Sequence, residues 1–113
     1  MTKILISPNL RKRGIGDAVR QTCEILTSHG AEVLMPREVA MLGEEALPIR
    51  YLDLEHGVDE ADAMVVLGGD GTILRIAGLA AQYGTPILGV NMGHVGFMTE
   101  LEPGEISLVS RLC

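Results

Sequence analysis

The chain reads as an α/β protein: a doubly wound, Rossmann-like parallel sheet with helices on both faces. Strand-length apolar runs alternate with helix-length segments along the sequence. The run Ala63–Leu67 is apolar without a break, as in a central parallel strand covered on both faces. Two glycine-rich loops, at 68–71 and 89–96, follow strand ends. Right-handed βα connections make such a sheet doubly wound, and its ligands bind beyond the carboxyl ends of the strands.

The elements follow in order. Lys3–Ser7 is a short aliphatic strand closed by the turn signal Pro8-Asn9. Asp17–His29 has helical spacing, with Ile15, Val19, Thr22 and Leu26 on one stripe. Asp17 suits the first turn, His29 the negative end of the dipole and Gly30 the position after the cap. Ala31–Met35 is a second strand, stopped by Pro36. Residues 37–62 are the least legible: a short helix over Arg37–Glu45 and a strand or loop over Ile49–Leu54. The acidic stretch Asp53–Asp62 reads as a solvated loop or helix face.

Beyond the strand Ala63–Leu67, Thr72–Tyr83 is apolar almost all round, which predicts a largely buried helix ended by Gly84. Ile87–Val90 is the next strand. Pro103-Gly104 opens a last helix.

At 113 residues the chain is expected to form a single domain over 1–113, and 47% apolar residues supply an aliphatic core. Two cysteines, Cys23 and Cys113, make no disulfide framework and suggest a reducing cytoplasm. A net charge of −6 argues against a nucleic-acid partner. No apolar run approaches the ~18 residues of a membrane span.

The strongest chemical signal is Gly68-Gly69-Asp70-Gly71-Thr72. A phosphate needs backbone N–H groups unobstructed by Cβ atoms and a helix N-terminus behind them. Gly68, Gly69 and Gly71 supply open backbone, the helix near Thr72 supplies the dipole, and Thr72 adds a hydroxyl donor. Asp70 does not suit a passive anion cradle. It suits a group that takes a proton from an attacking hydroxyl or helps hold a phosphate-bound metal. The alternative is an N-cap that accepts from the N–H of Thr72 or Ile73.

Val65–Arg75, containing that loop, resembles the signature of the NAD kinases, and Gly89–Thr99 resembles the second glycine-rich motif of the same family. Diacylglycerol and sphingosine kinases share the first motif, but they carry an Asn-Glu pair where this chain has Leu74-Arg75. The resemblance implies transfer of the γ-phosphoryl of ATP, or of polyphosphate, to the 2′-hydroxyl of the adenosine ribose of NAD. It implies that Asp70 is the catalytic base, that Gly71 and Phe97 contact NAD, and that Gly68, Gly69 and Thr72 lie on the phosphate side. Arg75, Asn91, Gly93, His94 and Gly96 complete the candidate nucleotide site. Mg²⁺ or another divalent cation bridges the phosphates without a protein ligand set.

NAD kinases continue into a β-rich domain whose Asn-acidic pair holds the adenosine. Here the asparagines Asn9 and Asn91 precede Leu10 and Met92, so that domain is expected to be absent and the chain alone inactive. A non-catalytic nucleotide-binding or oligomerising domain is the alternative, with a lipid kinase fragment third. Oligomeric state stays open, a homo-oligomer included.

Weaker signals divide. Arg11-Lys12-Arg13 follows the first strand, either as a phosphate-attracting turn or as a solvated one. Gly14-Ile15-Gly16 fails as a dinucleotide fingerprint, because Val19 stands where the third glycine belongs. Arg75 either snorkels, pairs with an acid or contacts phosphate. His94 reads as a loop donor, and no His/Cys cluster has zinc spacing.

Overall fold

The computed structural model describes residues 2–42 and 48–92. The second glycine-rich segment from Gly93 onward and the helix expected after Pro103-Gly104 lie outside them. The strands are β1 (Lys3–Pro8), β2 (Glu32–Pro36), β3 (Ile49–Leu52), β4 (Ala63–Gly68) and β5 (Ile87–Asn91). The helices are α1 (Ile15–Ser28), α2 (Leu54–Glu60) and α3 (Asp70–Tyr83), with a 3₁₀ turn over Arg37–Leu42. All strand pairings are parallel, in the order β3-β2-β1-β4-β5. The order reverses between β1 and β4, which makes their carboxyl ends the switch point where such sheets form a crevice.

Alternation along the strands assigns each helix to a face. Ile4 and Ile6 of β1, with Val65 and Leu67 of β4, pack with Ile15, Val19, Cys23 and Leu26 of α1. Leu5, Met64 and Val66 point the other way and pack with Val58 of α2 and Ile73, Ile76 and Ala80 of α3. Every residue of β4 is buried, as its unbroken apolar run requires. Cys23 is fully buried, packed as a small apolar group against the α1 face of the sheet.

The structure adjusts several boundaries. α1 begins at Ile15, two residues earlier than Asp17, from a Gly14 at φ 76° that turns the chain into the helix. Both helical ends at Gly30 and Gly84 have the left-handed backbone expected of a glycine stop, at φ 82° and 67°. The acidic stretch contains a true helix, α2, tucked against the sheet by Gly57 and Val58. Its acidic residues enter surface ion pairs: Asp53 with Arg37 at 2.9 Å, and Glu60 with Lys3 at 3.4 Å and with Arg50. Such exposed pairs contribute little to stability.

One expectation fails. The helix over Thr72–Tyr83 is not largely buried: only Ile73, Ile76 and Ala80 are enclosed, while Leu74 is 58% and Tyr83 41% exposed. α3 rests one stripe on the sheet beside α2, so its apolar composition exceeds what that stripe covers. The stripe sits close. A Cβ on Gly89 of β5 would stand 3.0 Å from Ile73 Cδ1, and glycine in the strand permits that approach.

Candidate functional site

Three chain segments meet at the switch point. β1 delivers Asn9, β4 delivers Gly68 and Gly69, and α3 starts at once with Asp70. Backbone bonds join them: the Asn9 N–H donates to Leu67 O at 2.8 Å, and the Met92 N–H donates to Gly68 O at 2.8 Å. Asn91, which ends β5 opposite Gly68 in register, is fully buried. It belongs to the floor of the site rather than its open side.

The glycines differ in what they permit. A Cβ on Gly68 would come within 3.0 Å of Thr72 Cβ and 3.3 Å of Asn9 Cβ, so this glycine allows close packing under the loop. A Cβ on Gly69 would stand 3.2 Å from Lys12 Nζ, so the ammonium lies over that peptide. Around Gly71 no described atom comes within 4 Å of the same position. Gly71 is therefore the open backbone that the sequence suggested. Gly68 is not.

Gly69 is the residue before the helix, in extended backbone, and Asp70 is the first residue within it. Asp70 thus does not hold the N-cap position. Its carboxylate stands in the first turn, where the helix dipole favours negative charge, with Oδ1 sealed from solvent. The N–H groups of this turn have no helical acceptors of their own.

Asn9 bridges the halves of the site. Its Nδ2 donates to Thr72 Oγ1 at 3.0 Å, and its Oδ1 accepts from the Arg11 N–H at 3.1 Å. Next to this bridge lies a cleft of about 400 Å³ lined by Pro8, Asn9, Leu10, Arg11, Glu38 and Arg75. Arg11 and Arg75, far apart in sequence, share one cleft, and both are exposed. Among the described residues no salt bridge ties up Arg75.

Gly68, Gly69, Asp70, Gly71, Thr72 and Arg75 thus gather at the switch point with Asn91 beneath them. Gly93, His94, Gly96 and Phe97 lie outside the described residues. Sequence reasoning took Asn9 for a turn residue and passed over Glu38. An Asx residue directly after a central strand was the available hint for Asn9. Glu38 gave none, because only the 3₁₀ turn brings it to the cleft. No cluster of three or more His, Cys, Asp or Glu side chains suited to a metal occurs among the described residues. No helix among them is long and apolar enough to cross a membrane.

The family model described as ATP-NAD kinase N-terminal domain matches residues 4–111. An NAD kinase of Caldanaerobacter subterraneus subsp. tengcongensis is 36% identical over 94% of this chain, which covers 37% of that protein. An NAD kinase of Moorella thermoacetica is 39% identical over 94% of this chain and 33% of its own length. The fold is also that of yeast NADH kinase complexed with NADH. That structure matches with a TM-score of 0.77 at 20% identity, over 98% of this chain and 35% of the yeast one. The chain therefore spans about a third of the length of the relatives it matches.

Proposed function

Because this chain belongs to the ATP-NAD kinase N-terminal domain family, we infer that it is the phosphate-handling part of an NAD kinase. The reaction is transfer of the γ-phosphoryl of ATP or polyphosphate to the 2′-hydroxyl of the adenosine ribose of NAD, giving NADP. The observation that carries this reading is the placement of Asp70. A carboxylate opens the helix at the switch point, in the same first turn as the open Gly71 backbone and the Thr72 hydroxyl that Asn9 holds.

Each residue then has a task. Asp70 accepts the proton of the attacking ribose hydroxyl. The first-turn N–H groups, the Thr72 hydroxyl and the cations Arg11, Lys12 and Arg75 bind and orient the donor phosphates, which is most of what phosphoryl transfer asks of a protein. A divalent cation enters with the phosphates as part of the substrate. Glycines 93 and 96, His94 and Phe97 are assigned to the NAD side. We place the protein in the cytoplasm, in keeping with a sequence whose two cysteines make no disulfide framework.

The test is a chimera in which this chain replaces the matching segment of the Moorella NAD kinase. NADP formation by the chimera, lost on Asp70→Asn, supports the assignment. Undiminished NADP formation by that variant overturns it. Saturable binding of ATP and NAD by the chimera without turnover would favour a non-catalytic nucleotide-binding domain, and phosphorylation of a lipid but not of NAD would favour the lipid kinase reading.

A further inference from the structure

We propose that Asn9 is a positioning residue that fixes the Thr72 hydroxyl as a hydrogen-bond donor toward a phosphoryl oxygen. This rests on the reading of the Gly68–Thr72 loop as a phosphate site. The argument starts from an atom whose role is not open to choice. The backbone N–H of Arg11 can only donate, and it lies 3.1 Å from one terminal atom of the Asn9 amide. That atom is therefore the oxygen. The other is the nitrogen, and it faces Thr72 Oγ1 at 3.0 Å.

An amide NH₂ has protons to give and accepts none. Thr72 Oγ1 must accept along that line, and its single proton points elsewhere. A threonine hydroxyl in water donates or accepts with equal ease. Here one of the two roles is already assigned. Thr72 stands in the first turn of α3, where the backbone donors are also free of helical acceptors. The hydroxyl thus joins a set made only of donors, suited to a ligand made only of acceptors, such as a fully ionised phosphate chain.

The polarity is set from the backbone upward. The Asn9 N–H donates to Leu67 O at 2.8 Å, and Asn9 O accepts from the Lys12 N–H at 3.1 Å. The amide is thereby held between β4 and the loop leading to α1. A purely structural latch between that loop and α3 would need the same bond but would not care which partner donates. The two roles can be told apart.

The probe is inorganic tripolyphosphate, titrated calorimetrically into the chain and its variants. Thr72→Val, which removes the donor, is expected to weaken binding about tenfold, and Thr72→Ser to retain it. Asn9→Ala, which frees the hydroxyl to turn, is expected to weaken binding about threefold in the wild type. In the Thr72→Val background it should change nothing further. Should Asn9→Ala not fold, Asn9→Asp carries the test. It keeps the acceptor for Arg11 but offers Thr72 only oxygens, so it takes the hydroxyl proton and lowers affinity at least as far as Thr72→Val.

A second readout needs no ligand: Thr72→Val should shift the Asn9 side-chain amide resonances in a ¹H–¹⁵N spectrum. Additive losses for the two sites, unchanged Asn9 resonances, or folded Asn9 variants that bind like the wild type overturn the proposal while leaving the loop's role intact. A wild type that does not bind tripolyphosphate overturns both.

Discussion

Gly68 and Thr72 are packed so closely that a Cβ on the glycine would lie 3.0 Å from both Cβ and Cγ2 of the threonine. Neither side can yield cheaply. Gly68 is buried in the sheet, and Thr72 is held by its hydrogen bond from Asn9, whose own Cβ would lie 3.3 Å from the added group. Gly68→Ala is expected to cost about 1–3 kcal/mol of stability, the usual range for overpacking. Urea denaturation would read it, and a fully stable variant would show that the loop can shift without loss.

Gly71 and Gly78 offer the contrast. Both lie in α3, and around both a Cβ would meet no described atom within 4 Å. Gly78→Ala should stabilise the protein by about 0.5–1 kcal/mol, from helix propensity and a less flexible unfolded chain. Gly71→Ala should leave stability unchanged or slightly raised, yet weaken ATP or NAD binding, because the space it fills belongs to ligand. Equal binding by both variants would remove Gly71 from the site.

In the chimera with the relative's remaining domain, Asp70→Asn should lower the rate of NADP formation by about 10²–10⁴, the usual contribution of a positioned base. Asparagine is nearly isosteric with aspartate, so circular dichroism of the variant should match the wild type. A loss of less than about tenfold would remove Asp70 from the role of base.

The cleft predicts two opposite charge effects. Arg11→Ala and Arg75→Ala should each weaken tripolyphosphate binding and make it less sensitive to salt, since exposed charges act through a screened field. Glu38→Gln removes the carboxylate that shares the cleft and should strengthen binding about twofold to fivefold. A Glu38→Gln variant that binds more weakly would mean the carboxylate orients the arginines rather than opposing the anion.

Much of this is legible in the sequence. β4 announced itself by its apolar run and α1 by the stripe from Ile15 to Leu26, because burial on both faces or on one leaves those periods in the chain. The loop at Gly68–Thr72 was legible because phosphate chemistry needs glycines and a helix start in immediate succession. What stayed hidden depended on contacts distant in sequence. The helix α2 buries too little for a readable stripe, since Gly57 carries no side chain and the acidic residues around it mask the pattern. The exposure of Leu74 depends on which neighbours α3 has, and composition says nothing of that. Asn9 looked like a turn residue because the bond that gives it a larger part reaches Thr72, on the far side of three intervening strands in the chain.

The register of the sheet also has a kinetic consequence. β1 sits between β2 and β4, and its pairing of Ile4 with Ala63 must wait until nearly two thirds of the described chain has been brought round. Parallel pairings of this kind close large loops before any contact rewards them, and they slow folding. Asn9 and Thr72 lie on opposite sides of that closure, so their bond cannot form in a partly assembled chain. Recovery of phosphate binding after dilution from denaturant should therefore coincide with the slowest folding phase, making the site a clock for completion of the sheet.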